Sequence, residues 1–221
     1  MINYLQNYQY VMEYDTDAKV DPKIIENVFK EAIRTTPSKQ NMMPYKVHVL
    51  GPDHSNIKQA IAKKAKQKED SCNNPAVAPL RQADSYQTSN ITTAPYVFIF
   101  TQRVETNPSP WYINLMKKGW NFEQTNPKRP SKAERTSMIE TGMFAYAISN
   151  LFLQAGLDIS YTRCFDGNLT HWSESEFSFL DMSVWLIMTV GKGKIYRRKS
   201  NPNLTFDNDH KPNWDKVINF I

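Results

Sequence analysis

Residues 32–50 read AIRTTPSKQNMMPYKVHVL and contain a helix end, a polar turn and the start of a strand. Pro37 has no backbone N–H to donate, and it biases Thr36 away from the helical region. We therefore predict that the helix ends at Arg34 and that the chain turns immediately afterwards. The β-branched pattern that follows predicts a strand over Lys46–Leu50.

The turn carries two side chains suited to ligand binding. Ser38 and Asn41 offer a hydroxyl and an amide, which can bind a planar heteroaromatic group that carries donors and acceptors along its edge. Serine and asparagine are also frequent in turns because their side chains stabilise turn geometry. Taken one at a time, these residues favour a plain turn, so the motif needs support from the rest of the chain.

Outward from this stretch, helical and extended patterns alternate. Asp21 caps the first helix, with proline in its first turn. The run from Ala94 to Phe100 is almost continuously apolar, which is typical of a strand in the centre of a sheet. Other predicted helices are Ser55–Lys68, Leu80–Tyr86, Lys132–Gln154 and Glu174–Phe179, and other predicted strands are Asp158–Thr162 and Ser183–Val190. This order predicts an α+β fold.

Three segments have special roles in this organisation. Lys132–Gln154 is the longest helical pattern and is apolar on nearly all sides, which predicts a long buried central helix ended by Gly156. Residues 103–132 are rich in proline and aromatic side chains, and we predict a variable insertion there. Residues 200–221 are predicted to be a C-terminal extension that covers a neighbour, because their apolar side chains would be wasted on a free tail.

Composition restricts the class of protein. The chain has 221 residues, 40% of them hydrophobic, which suits one domain with a substantial core or two small domains. The longest apolar runs are too short to cross a membrane, and the first residues lack the pattern of a signal peptide. Two cysteines favour a reducing, cytoplasmic setting, and the four scattered histidines predict no metal site.

The net charge of +5 permits an anionic partner. Much of the excess lies in two runs, Lys58–Lys68 and Lys192–Lys199. The first favours the solvated face of an amphipathic helix with Ile57, Ile61 and Ala65 inward. The second suits a small anionic ligand as well as it suits DNA. A nucleic-acid-binding module remains an alternative, although no recognition motif supports it.

The turn also resembles the flavin-binding signature of the nitroreductase family, a helix followed by a P-S-x-x-N-x-Q-P-W-like run and a strand. The matching positions are Pro37, Ser38, Asn41 and Pro44. Tyr45 replaces the usual tryptophan, and Met43 stands where the family often has glutamine. The end of the long helix, Leu153–Asp158, is similar to the end of the family's central helix, which packs at the core of a homodimer.

A further segment, Tyr161–Asp166, resembles the family's E-G-F-D or G-G-F-D run along the reactive edge of the flavin. Phe165 and Asp166 match, whereas Arg163 and Cys164 replace the acidic or glycine positions. The resemblance implies that the Cys164 backbone N–H approaches the ring nitrogen that takes up hydride. Arg163 either stabilises the anionic reduced ring or points outward, and these two interpretations stay open.

The resemblance also implies how the cofactor phosphate is held. After the last strand the sequence carries Arg197, Arg198 and Lys199, and guanidinium groups suit a terminal phosphate. The family's N-terminal R-R-S-x-R run has no counterpart near residues 8–12. Phosphate binding is therefore expected to depend on the C-terminal cluster, with Arg34 or Lys39 of the first loop.

Together these similarities imply a single nitroreductase-like domain over residues 1–221, with a mixed or antiparallel central sheet flanked by helices. The implied activity is an FMN-dependent homodimeric oxidoreductase, which transfers hydride from NAD(P)H to a nitroaromatic or quinone by a ping-pong mechanism. The insertion at 103–132 would lie over the cleft. The alternative is the same fold used for flavin fragmentation, reductive dehalogenation or non-redox binding.

Overall fold

The computed structural model describes residues 10–38, 42–71, 89–103, 117–118, 132–163 and 165–196. Its helices are α1 (Pro22–Thr35), α2 (Ser55–Ser71), α3 (Ser89–Thr93) and α4 (Lys132–Gln154). Its strands are β1 (Val11–Tyr14), β2 (Tyr45–Leu50), β3 (Tyr96–Gln102), β4 (Asp158–Thr162), β5 (Val184–Gly191) and β6 (Gly193–Tyr196). Two 3₁₀ turns, Leu169–Trp172 and Ser175–Phe177, lie between β4 and β5. None of these helices is both long and apolar enough to cross a bilayer.

The main sheet has four strands in the order β2-β3-β5-β4, and each neighbouring pair is antiparallel. Every residue of β3 is buried. This confirms the central strand predicted from the apolar run, and it confirms the α+β class with an antiparallel sheet. β1 and β6 form a separate antiparallel pair.

Each face of the main sheet is covered by a different hydrophobic cluster, because side chains of a strand alternate between faces. Val97 and Ile99 of β3 pack with α2, α3 and the 3₁₀ turns. Phe98 and Phe100 pack on the opposite face with α1 and α4. On that second face Phe29 of α1 meets Phe98 edge to face, with ring centroids 5.0 Å apart.

Helix α1 begins and ends as the sequence predicts, within one residue. The Asp21 carboxylate accepts a hydrogen bond of 2.9 Å from the Lys23 backbone N–H, and Pro22 occupies the first turn. Thr36 is extended (φ −79°, ψ 126°), as expected for a residue before proline. The helix thus delivers Pro37 and Ser38 directly into the loop that leads to β2.

Helix α4 is buried on one side only in the single chain. Phe144, Ile148 and Phe152 are at most 1% exposed and fill the core. On the other side Ile139 is 65% and Tyr146 62% exposed. The sequence predicts a helix that is buried nearly all round. The packing within one chain leaves this second apolar face exposed.

Several elements differ from the sequence prediction. The short strands β1 and β6 and the helix α3 were not predicted, and the predicted helix Glu174–Phe179 is the shorter 3₁₀ turn Ser175–Phe177. That turn buries Phe177 against Trp172, with centroids 4.9 Å apart. The predicted helix Leu80–Tyr86, nearly all of the insertion at 103–132 and the extension at 200–221 lie outside the described residues.

Candidate functional site

The loop between α1 and β2 lies at one end of the main sheet, here called the site end. Strand register defines this end, because Tyr45 at the start of β2 pairs with Gln102 at the end of β3. Thr101 pairs in turn with Val184 at the start of β5. The end of β4 lies at the same end of the sheet, since Thr162 pairs with Ile187 of β5. The topology therefore brings together the first loop, the residue after β3 and the turn after β4.

Ser38 links the first loop to the long helix. Its hydroxyl donates to the Glu140 carboxylate of α4 at 2.6 Å. The same oxygen accepts the backbone N–H of Met43 at 2.7 Å, which closes the loop across the intervening residues. Ser38 is thus fixed both to the far end of its own loop and to a buried acid.

Arg103, the residue after β3, holds the same loop from its other end. Its guanidinium donates to the carbonyl oxygen of Met43 at 2.8 Å and to that of Met42. Its backbone N–H donates to the Pro44 carbonyl at 3.1 Å. Met43 has a positive φ of 44°, a left-handed conformation that is uncommon for a non-glycine residue. These bonds stabilise a loop conformation that the local sequence alone would not favour.

Tyr45 adds a buried hydroxyl beside these charges. Its ring stacks on Phe144 of α4, with centroids 4.4 Å apart and planes 20° apart. Within the described part of the chain, the hydroxyl is buried and has no hydrogen-bond partner. Burial raises the pKa of Tyr45, the Glu140 carboxylate raises it further, and Arg103 partly opposes both. Tyr45 therefore keeps its proton at physiological pH.

The turn after β4 is held by Arg163. The Arg163 guanidinium donates to the Phe165 carbonyl at 3.0 Å and lies 4.9 Å from the centroid of the Phe165 ring. The Phe165 backbone N–H returns to the Arg163 carbonyl at 2.9 Å. Phe165 packs edge to face on Trp172, whose indole N–H donates to the Asp166 carbonyl at 2.8 Å. The exposed Arg163 thus lies against its own turn.

The other predicted site residues fall into two groups. Arg34 is exposed on α1 and pairs with Glu31 at 2.6 Å, and Pro37 is exposed at the loop entrance. The described residues do not include Lys39, Asn41, Cys164, Arg197, Arg198 and Lys199. The roles predicted for these residues therefore stay predictions.

Sequence reasoning missed Arg103 and Glu140. Glu140 is the only charged residue between Ser137 and Gln154 in an otherwise apolar pattern, and it is only 6% exposed. A single acid on the buried face of a helix marks a position that needs a polar partner. Arg103 follows a fully buried strand, yet its three bonds to loop carbonyls leave no signal in the sequence.

A second concave region lies at the opposite end of the sheet, where β2 ends and β3 begins. This cleft has a volume of about 550 Å³, and its wall includes Lys58, Asp53 and Tyr96. Lys58 is only 3% exposed, and its ammonium donates to the carbonyls of Ala94 at 2.8 Å and Pro95 at 2.9 Å. Burial lowers the pKa of Lys58 to about 8, and the Asp53 carboxylate opposes this effect.

Comparison with known families assigns the chain to one of them. A model of the Nitroreductase family matches residues 11–192, which include every described strand except β6. The chain therefore belongs to the nitroreductase family. No curated protein sequence matched it.

Solved structures show the same fold at low sequence identity. A nitroreductase-like protein from Streptococcus mutans is 19% identical, with a TM-score of 0.64 over 100% of this chain and 97% of its own. A candidate nitroreductase from Exiguobacterium sibiricum, solved in complex with FMN, is 14% identical, with a TM-score of 0.64 over 100% and 96%. A candidate NAD(P)H:FMN oxidoreductase from Staphylococcus epidermidis is 14% identical, with a TM-score of 0.65 over 99% and 94%.

Proposed function

We propose that the protein is an FMN-dependent oxidoreductase that passes electrons from NAD(P)H to a nitroaromatic or quinone acceptor by a ping-pong mechanism. Membership of the nitroreductase family over residues 11–192 carries this proposal. The FMN complex of the Exiguobacterium protein and the name of the Staphylococcus protein support the cofactor and the reductant. With a quinone, one NAD(P)H and one proton would give NAD(P)⁺ and the hydroquinone.

The described residues at the site end fit a flat group with a polar edge. Tyr45 has a buried hydroxyl without a partner in the described region, and Ser38 keeps one lone pair for a further donor. The loop that carries Ser38 is held at both ends, since Ser38 donates to Glu140 and Arg103 donates to the Met43 carbonyl. Such fixed groups reduce the entropy lost when a ligand binds.

A bound FMN would supply the hydride chemistry itself, so the chain would mainly bind and orient it. In this proposal Pro37, Ser38, Lys39 and Asn41 hold the ring, and Arg34, Arg197, Arg198 and Lys199 hold the phosphate. Arg163 would supply positive charge near a ring that becomes more negative on reduction. The Cys164 backbone N–H would approach the reactive edge of that ring.

We further propose that the active form is a cytosolic homodimer built on the exposed face of α4. This face contains Met138, Ile139, Met143 and Tyr146, which are 37–65% exposed in the single chain. A contiguous apolar stripe on a long helix is typical of an interaction surface. Ile139→Glu should shift the protein from dimer to monomer in analytical ultracentrifugation. Lys66→Glu, an exposed change on α2, is the control, and an unchanged dimer in Ile139→Glu would contradict this interface.

The function is tested with purified protein. A yellow preparation with flavin absorption bands, or one that gains these bands on adding FMN, is the expected result. NADPH or NADH should bleach the bound flavin without oxygen, and a quinone or nitroaromatic should restore the colour. A colourless protein that does not bind FMN would refute the proposal. Bleaching by dithionite but not by either nicotinamide would favour the alternative of other flavin chemistry in the same fold.

A further inference from the structure

Glu140 has no assigned role, yet it occupies a central place at the site end. It is 6% exposed, and it is the only charged side chain in the segment from Ser137 to Gln154. Burying a carboxylate is unfavourable unless hydrogen bonds compensate for lost solvation. One such bond comes from the Ser38 hydroxyl, at 2.6 Å.

The contact with Glu140 determines which further hydrogen bonds Ser38 can form. A serine hydroxyl has one hydrogen to donate and two lone pairs that accept. The hydrogen goes to a carboxylate oxygen of Glu140. One lone pair receives the Met43 N–H at 2.7 Å. Among the described residues Ser38 therefore has one lone pair without a partner, and this position can only accept a hydrogen bond.

We propose that Glu140 is a positioning residue that fixes the polarity of Ser38, so that Ser38 recognises a donor group of the ligand. This inference rests on the proposed function, in which the ligand is FMN. Oxidised FMN offers two kinds of donor, the imide N–H of the ring and the hydroxyls of the ribityl chain. Ser38 accepts from one of these, and it makes no hydrogen bond to a ring carbonyl.

A purely structural role for Glu140 would be to hold the loop closed. The loop is already fixed from the other side, because Arg103 bonds to the carbonyls of Met42 and Met43 and to that of Pro44. Removing the Glu140 carboxylate should thus release the Ser38 hydrogen while the Arg103 bonds remain. The hydrogen-bonding role of Ser38 can therefore be tested while the loop stays closed.

The experiment measures the dissociation constants of three flavins by fluorescence. They are FMN, an N3-methyl FMN that lacks the imide donor, and an FMN analogue with a deoxygenated ribityl chain. The proteins are wild type, Ser38→Ala, Glu140→Leu and the control Ser149→Ala. Ser149 is a buried serine on the same helix that bonds to the Ala145 carbonyl, away from Ser38. Thermal unfolding of each flavin-free variant reports separately on the fold.

The dissociation constant of wild type should be at least about fivefold higher for one of the two analogues than for FMN. This is the effect expected from the loss of one ordinary hydrogen bond. The analogue affected identifies the donor. Ser38→Ala should lose that preference, and Ser149→Ala should keep it. Glu140→Leu should weaken the preference, because the Ser38 hydroxyl keeps its lone pair but its released hydrogen can also donate to a ring carbonyl. If Glu140→Leu fails to fold, Glu140→Ala takes its place in this comparison.

Two results would overturn the inference while leaving the proposed function intact. One is a wild type that binds FMN but treats all three flavins alike. The other is a wild-type preference that survives in Ser38→Ala, or that is undiminished in folded Glu140→Leu. A wild type that binds no flavin refutes the proposed function, and this inference falls with it.

Discussion

Lys58 should make the stability of the fold depend on pH in the alkaline range. Its ammonium is buried at the end of the sheet opposite the site, with two backbone carbonyls as acceptors. Burial lowers the pKa of Lys58 from 10.5 to about 8 in the folded protein. An unfolded chain should titrate near the ordinary value, so the two states bind different numbers of protons between these pH values.

The sign follows from which state holds the proton. Between about pH 8 and 10.5 the folded protein has largely lost the Lys58 proton while the unfolded chain retains it. The free energy of unfolding therefore rises with pH through this window. The difference of about 2.5 pH units, at 1.36 kcal/mol each, gives a gain of about 3 kcal/mol that is complete above pH 10.5.

Urea unfolding of wild type and Lys58→Met between pH 7 and 10.5 measures this gain. Other groups titrate in both proteins, so the quantity of interest is the difference between their free energies of unfolding at each pH. That difference should change by about 3 kcal/mol across the window. Lys66→Met, an exposed change on the same helix, should show no such change. Parallel pH profiles for wild type and Lys58→Met would refute the reasoning, as would an NMR titration of Lys58 with a midpoint near 10.5.

Three further substitutions probe the packing around the sheet. Tyr45→Phe removes a buried hydroxyl with no partner among the described residues, so urea unfolding should show a loss of no more than about 0.5 kcal/mol; a larger loss would reveal a hidden bond. Gly191→Ala places a Cβ 2.5 Å from the Pro95 ring, and should lower the free energy of unfolding by about 1–3 kcal/mol; an unchanged melting temperature would contradict this close contact. Arg103→Lys cannot reproduce the two-pronged contact with the loop carbonyls, and hydrogen exchange of the loop amides should quicken; unchanged protection would disprove this role.

The sequence could predict those parts of the fold that depend on local pattern. The apolar run Ala94–Phe100 indicated the buried strand β3. Asp21 and Pro37 indicated where α1 begins and ends. The pairing of β1 with β6 joins residues about 180 positions apart, such as Val11 and Tyr196, and each strand has only four residues. Strands that short carry too little periodicity for recognition, and nothing local indicates the partner.

Helix α4 shows a different limit of sequence reasoning. Hydrophobic periodicity shows which side chains avoid water, but it does not show whether the same chain or another copy covers them. Phe152 and Ile139 therefore look equivalent in the sequence, although one is buried by the sheet and the other is 65% exposed. The motif around Ser38 was recognised, whereas the partners that fix it, Arg103 and Glu140, lie 65 and 102 positions away along the chain.

The first loop illustrates how distant residues impose a conformation that its own sequence does not favour. A left-handed non-glycine residue such as Met43 costs about 1 kcal/mol or more, so it persists only where surrounding bonds offset the strain. Both backbone polar groups of Met43 are engaged, the N–H by Ser38 and the carbonyl by Arg103. Glu140 in turn orients the Ser38 hydroxyl. Because these partners come from α4 and from the end of β3, the loop conformation depends on contacts that exist only in the folded chain. A ligand that needs this loop conformation would therefore bind only the folded protein.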